Sequence, residues 1–267
     1  MNQKQSLAPK WQWCSWNGSS YLTCSLLADW QHGFFSGESY PQTPDRLLAA
    51  FDTDAEVYRL KQVHGKTVLS PKEIVLACQQ GENPSLVDGD GIVTDNSRQA
   101  VWVASADCNP VLIADVSTGR VAAVHAGWRG TSLKIVPEAI ARFLNWGSSL
   151  KDLRIVMGPA ISGAVYQVGE QVAAEVGTSI VCAATVKDRQ AILAKLSELP
   201  DTPLLDDDKP GRVRIDIRTV NKIQLEQLGI DREQIAIAPY CTYENARFCS
   251  YRRTKEKKVQ WSGIVSN

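Results

Sequence analysis

Two histidines and a cysteine carry the clearest chemistry in this sequence. His64 lies in LKQVHGKTV and His125 in VAAVHAGWRG, each where an apolar, strand-like run stops ahead of a glycine. Cys108 lies in ASADCNPV, where a similar run meets the bend that Pro110 imposes. Two imidazoles and one thiolate suit zinc, and a catalytic zinc takes three protein ligands with a fourth position for water or substrate. Such an ion lowers the pKa of water to about 7 and holds the sulfur as thiolate. The spacings, 44 and 17 residues, match no short zinc motif. Three satisfied core side chains are therefore the competing reading of these residues, and a Cys108 nucleophile activated by His125 is another. A His₂Cys set also describes a single copper site.

The elements that must bring these donors together are short strands. The spacing of apolar residues predicts strands at Trp11–Trp16 and Tyr21–Leu27 around the turn NGSS, then at Val57–Val63, Thr67–Leu69, Gly91–Thr94, Ala100–Ala106, Val111–Val116, Arg120–His125, Leu153–Met157 and Ile235–Ala238. The hairpin through Ser117-Thr118-Gly119, centred near Thr118, sets Cys108 opposite Trp128. Gathering the three donors then requires the Asn109-Pro110 bend to bring the sulfur back. Helices are expected at Pro44–Phe51 with Thr43 as N-cap, from Gly127 to about Trp146 with a kink or restart at Pro137, at Gly169–Val176, at Ala191–Leu199, and at Ile217–Leu228 between an Asp216 cap and a Gly229 stop. HGFFSGESYPQTP, Gln79–Asp90 and the acidic Asp201–Arg212 read as loops. Strand and helix do not alternate regularly and hairpins are frequent. This predicts an α+β fold, one domain over residues 1–267 with mixed sheets flanked by helices.

Composition narrows the function classes. The chain has 267 residues, 44% hydrophobic and 22% charged, with Lys+Arg 29 balancing Asp+Glu 29. That balance gives no basic stripe for nucleic acid or a membrane surface. No apolar run approaches the ~20 residues of a membrane helix. The start, MNQKQSLAPKWQWCSW, lacks the apolar core of a signal peptide. Seven cysteines, an odd number, fit a reducing cytoplasm, with Cys14 and Cys24 as thiols on neighbouring strands rather than a disulfide.

The ordered set KQVHG, DGIVTD, ADCNPVLIAD, VAAVHAGWRGT, GPAISGAVYQVG, APYCTYE and FCSYRR resembles the YfiH family, variously labelled laccase-like, multicopper polyphenol oxidase and purine nucleoside phosphorylase. The likeness runs from WQHGFF at Trp30 to the end of the chain. It implies an α+β domain and a zinc held by His64, Cys108 and His125, with copper as the alternative ion. It further implies phosphorolysis of adenosine, guanosine, inosine and methylthioadenosine and hydrolytic deamination of adenosine. Editing of peptidoglycan precursors is a further activity of the family.

Elementary chemistry assigns roles beside that resemblance. Deamination needs a group to carry a proton, and Asp107, next to a ligand, is a candidate. Along a strand, however, it faces away from Cys108, and orienting a ligand or capping a turn is the alternative. Phosphorolysis needs an anion site, and a guanidinium suits phosphate. Arg129, four residues past His125, is the candidate, with a structural ion pair as its alternative; Arg252 and Arg253 are weaker, since RRTKEKK reads as a solvated face. Gln62 is a candidate for a bond to base or ribose, or for a strand-edge hydrogen bond. His32 is either a pocket residue or packed under its loop. The sequence departs from the family pattern in three places. No Arg follows HGF before Tyr40, Ala164 and Val165 replace thiols, and KEKKVQW replaces a Gly-Arg element.

Overall fold

The computed structural model describes residues 9–80, 86–181 and 188–267. In chain order the strands are β1 (Trp11–Trp16), β2 (Ser19–Cys24), β3 (His32–Phe35), β4 (Glu56–Arg59), β5 (Val68–Leu69), β6 (Gly91–Val93), β7 (Gln99–Ser105), β8 (Asn109–Asp115), β9 (Val121–Ala126), β10 (Leu153–Met157), β11 (Gln167–Gly169), β12 (Leu204–Asp206), β13 (Arg212–Ile215), β14 (Ile235–Ile237) and β15 (Gln260–Val265). The helices are α1 (Pro44–Leu47), α2 (Pro71–Gln80), α3 (Trp128–Ser132), α4 (Ile135–Asn145), α5 (Glu170–Gly177), α6 (Arg189–Ser197), α7 (Ile217–Leu228) and α8 (Tyr251–Thr254). One six-stranded sheet runs β1-β2-β3-β15-β7-β4, a second runs β14-β10-β8-β9-β6-β5, and a third of three strands runs β11-β13-β12. Both large sheets are mixed, with β4–β7 and β10–β14 parallel among antiparallel neighbours. The fold is α+β, as the sequence predicts.

The second sheet is apolar on both faces because it lies between layers. Leu112, Ala114, Val121 and Ala123 pack with Phe34, Val101, Val103 and Ile264 of the first sheet. Val111, Ile113, Ala122 and Val124 face Ile135, Ile140 and Phe143 of α4 and Leu225 of α7. The outer face of the first sheet is closed by Phe35, Leu47, Phe51, Trp102 and Trp261. This double coverage is why β8 and β9 read as continuous apolar runs rather than alternating ones.

Several elements differ from the sequence reading for identifiable reasons. HGFF forms β3, buried at every residue between β2 and β15; four residues are too few to show a period. Likewise β15, an interior strand of the first sheet, and the small β11-β13-β12 sheet were legible only from their pairing partners. The predicted strand Val57–Val63 ends at Arg59, and Leu60–Val63 instead leads into the turn at His64. Helix α2 carried a signal that the apolar pattern obscured: Ser70 and Glu73 exchange backbone–side-chain hydrogen bonds as a capping box ahead of Pro71. The helix predicted past Gly127 restarts, breaking at Lys134 (φ 61°) so that Pro137 falls in the first turn of α4, where its missing N–H costs nothing. Thr43 precedes α1 but its side chain makes no capping bond. Asp216 and Gly229 bound α7 as expected. Cys14 and Cys24 are free thiols. Within the predicted loop Gln79–Asp90, residues 81–85 lie outside the described residues, as does Cys182.

Candidate metal centre

The β8–β9 hairpin sets two of the three donors. Its turn holds four residues, Val116–Gly119, closed by Gly119 at φ 72° with its N–H on the Asp115 carbonyl and by the Asp115 carboxylate accepting from Ser117 and Thr118. The pairing that results puts Pro110, not Val111, opposite His125. This one-residue difference from the predicted register decides the site. With Pro110 opposite His125, Cys108 lies two residues further along the same face. With Val111 there, it would point to the other face. Gly127 completes the approach, since a Cβ there would lie 3.0 Å from Cys108 Sγ and 3.3 Å from a ring carbon of His64.

His64 arrives from the first sheet on a turn with φ 60°. That turn is held by a residue the sequence reading did not single out. The Asp90 carboxylate, wholly buried, accepts from the backbone N–H groups of Val63 (3.2 Å), His64 (3.0 Å) and Gly65 (2.7 Å) and from His125 Nδ1 at 2.9 Å. One side chain thus orients both histidines. The His125 Nδ1 contact leaves Nε2 to face Cys108 and His64. The available signal was an acidic residue between two glycines at a strand start, Gly89-Asp90-Gly91.

The ligand atoms of His64, Cys108 and His125 all lie within 4.8 Å of one another, and the two imidazole rings stand 4.9 Å apart at 83°. Among the described residues this is the one cluster of three or more such donors. Exposure grades outward from buried His125 through half-buried Cys108 to exposed His64. Burial pushes the Cys108 thiol up, but the His125 charge and hydrogen bonds from His125 and His64 outweigh it and bring it down to about 6. Burial acts to lower His125, while Cys108 and Asp90 raise it to about 9. Burial also raises Asp90, yet His125 and the Gly65 and Val63 N–H groups hold it below the usual carboxylate range. A thiolate beside two imidazoles, one buttressed by a carboxylate, is the donor chemistry of a zinc or copper site.

The cluster opens into a cleft of about 350 Å³ lined by Gln62, His64, Ser105, Cys108, His125, Tyr251, Glu256, Lys257, Lys258 and Trp261 among others. Gln62 is there, but its amide both donates to and accepts from the Ala104 backbone (2.8 and 2.7 Å), the strand-edge alternative. Asp107 and Arg129 are not brought to the cleft. Asp107 (φ 90°) accepts from Thr242 Oγ1 and from the Arg252 backbone N–H, both at 2.7 Å, and lines a smaller adjoining pocket with Cys108, Gly127 and Tyr166. Arg129 is exposed, its guanidinium stacked 4.5 Å from the Trp128 ring centroid. Arg252 donates to the Gln167 carbonyl over the Tyr166 ring, and Arg253 binds the carbonyls of Thr242, Tyr243 and Phe248. These two arginines therefore fasten the C-terminal segment rather than forming a solvated face. Both nitrogens of His32 are engaged by backbone, Nδ1 at the Trp30 carbonyl and Nε2 accepting from Cys24 N–H.

Comparison with known proteins follows the same outline. The family described as multi-copper polyphenol oxidoreductase laccase matches residues 41–265. A protein named purine nucleoside phosphorylase from Synechocystis sp. is 49% identical over 262 residues, covering 96% of this chain and 97% of that one. Another so named, from Mycobacterium bovis, is 34% identical over 209 residues, covering 78% and 72%. The crystal structure of YlmD from Geobacillus stearothermophilus superposes with a TM-score of 0.78 at 21% identity, covering 96% of this chain and 98% of that one.

Proposed function

This chain belongs to the laccase-like family described as multi-copper polyphenol oxidoreductase laccase, and we propose that within it the protein is a zinc-dependent purine nucleoside phosphorylase. The observation that carries the reading is the convergence of His64, Cys108 and His125, braced by Asp90, at the floor of a cleft sized for a small molecule. The names of its relatives supply the substrate class. When bound, zinc supplies Lewis acidity and makes water more acidic.

In phosphorolysis a phosphate oxygen bonds to C1′ of the ribose as the bond from C1′ to the purine nitrogen breaks; the base leaves with the electron pair and takes up a proton. The protein's part is to hold the two reactants in line and exclude water. Tyr251, exposed over the cleft, and Trp261 in its wall offer aromatic surface to a purine. Methylthioadenosine, inosine and guanosine share with adenosine the purine ring and its bond to C1′, and hydrolytic deamination of adenosine is the second activity we assign to this cleft. Peptidoglycan-precursor editing is not part of the reading. The reading treats residues 1–267 as one domain acting in the cytoplasm. The six described cysteines are free, and no helix among the described residues is long and apolar enough to cross a membrane.

Oxidation by several coppers lacks its ligands. His32, the one histidine outside the cluster, is buried with both ring nitrogens bound to backbone. One observation favours a second reading: Cys108, His125 and Asp90 also form the thiolate–imidazole–carboxylate series of a cysteine nucleophile. Zinc counting and alkylation separate the two. The metal reading expects about one zinc per chain and a Cys108 that alkylates only after chelation; alkylation of Cys108 itself in protein with full zinc removes it, whereas the exposed Cys78 reacts in either case. Chromatography then follows adenosine. Adenine with ribose 1-phosphate, formed only with phosphate, supports phosphorolysis, inosine supports deamination, and neither product from zinc-loaded protein defeats the nucleoside reading.

A further inference from the structure

The lining of the cleft carries lysines and a buried hydroxyl that the sequence did not single out. Arg129, the expected phosphate ligand, is not among its lining residues, and Arg252 and Arg253 spend their guanidinium groups on backbone carbonyls. The cations that do line it come from the irregular strap between α8 and β15, Lys257 and Lys258. Lys258 is paired with Glu256 at 3.0 Å, whereas Lys257 makes no ion pair among the described residues. Ser105, which lines the same cleft, closes β7 three residues before Cys108 and pairs with Gln260 just past the strap. It is 3% exposed, and its Oγ has no hydrogen-bond partner in the protein. A buried hydroxyl left unpaired is destabilising, and such atoms call for a specific explanation.

The strap is not a loose end. Its entry is pinned where the Asp107 carboxylate takes the Arg252 N–H and where Ser250 caps α8 on the Arg253 N–H. Its exit is pinned where Gln260 enters the first sheet opposite Ser105. The same pairing register therefore fixes the strap against the wall that carries the unpartnered hydroxyl. A cation on the rim and a hydroxyl donor in the wall, both bordering the metal cluster, meet the needs of a tetrahedral oxyanion.

We propose that Ser105 and Lys257 seat inorganic phosphate, the co-substrate of phosphorolysis, with Lys258 contributing from behind its pair with Glu256. The proposal rests on the phosphorylase reading, so its test separates the two. Zinc-loaded protein is titrated with inorganic phosphate by calorimetry at fixed ionic strength. In parallel, the KM for phosphate and the KM for nucleoside are measured for the parent, Lys257→Ala, Lys257→Arg, Ser105→Ala and Arg129→Ala. Losing one charge-assisted hydrogen bond weakens binding about 10-fold or more. That loss is expected in phosphate affinity and phosphate KM for Lys257→Ala and Ser105→Ala, with zinc content and nucleoside KM unchanged. Lys257→Arg is expected to recover most of the affinity, and Arg129→Ala to bind as the parent does. Phosphate binding that survives both alanine variants, or that falls with Arg129→Ala instead, overturns the seat, as does a parent that binds no phosphate. Phosphate binding that depends on Lys257 in a protein that converts no nucleoside keeps the seat and removes the phosphorylase reading.

Discussion

Asp90 is the residue on which the geometry of the centre turns. It contacts no substrate-facing surface, yet it holds the His64 turn by three N–H groups and His125 by Nδ1. Carboxylates in this position typically account for 10–100-fold in metal affinity. Asp90→Asn should lower zinc affinity by about that factor while far-UV circular dichroism stays that of the parent; a zinc titration monitored with a competing chelator measures it. Gly127 acts through space rather than charge. Its absent Cβ would meet Cys108 Sγ at 3.0 Å and the His64 ring at 3.3 Å, closer than real Cβ contacts tolerate without displacing a neighbour. Gly127→Ala should therefore weaken zinc binding although it removes no ligand, whereas a parent-like affinity would show that Cys108 shifts freely.

At the scale of elements, the turn of a hairpin and the seam between two helices set what the site can rely on. The four-residue turn at Val116–Gly119 fixes which face Cys108 occupies. The helices behind the second sheet are tied by Arg142 of α4 to Glu73 of α2. Burial raises Glu73, but Arg142 and the Ser70 N–H hold it below its ordinary value. A depressed carboxylate contributes stability above its unfolded pKa of about 4.3 and loses it as pH falls through the folded value. Arg142→Ala should therefore cost stability at neutral pH and make the acid limb of the stability profile shallower around pH 4. Urea midpoints taken between pH 3 and 7 check this, and parallel curves for parent and variant would refute it. The effect is small, because the pair is partly exposed and screened.

For the whole molecule, the centre lies at the mouth of the seam between two large sheets, and that seam is built without it. Phe34, Val103, Leu112, Val156 and Ile264 are buried against one another, and none of them is a candidate ligand. Zinc should then stabilise by mass action alone: an ion at about 100 times its Kd adds about 2.7 kcal/mol. Chelation should lower Tm by several degrees, abolish turnover and leave secondary structure intact, in contrast to small zinc domains that unfold without metal. Calorimetry before and after chelation, with zinc added back, reads all three. Loss of cooperative unfolding in the metal-free protein would show that the seam depends on the ion.

Sequence alone pointed to the candidate donors and to the local frame. His64, Cys108 and His125 stood out because a ligand type recurred where an apolar run stopped, with the resemblance to the YfiH family favouring a metal over core side chains, and α7 was legible because capping and stop signals act within a few residues. The α+β class followed from the irregular order of strands and helices. The tertiary structure decided what depends on pairing between distant segments: the register that turns Cys108 toward His125, the reach of Asp90 across 35 residues to His125, the place of β15 inside a sheet, and the exclusion of Asp107 and Arg129 from the cleft. A one-residue slip in a hairpin inverts every side chain while leaving the apolar pattern of a doubly buried strand unchanged. Local periodicity therefore carries no record of which face a ligand takes, and only the packed sheets supply it.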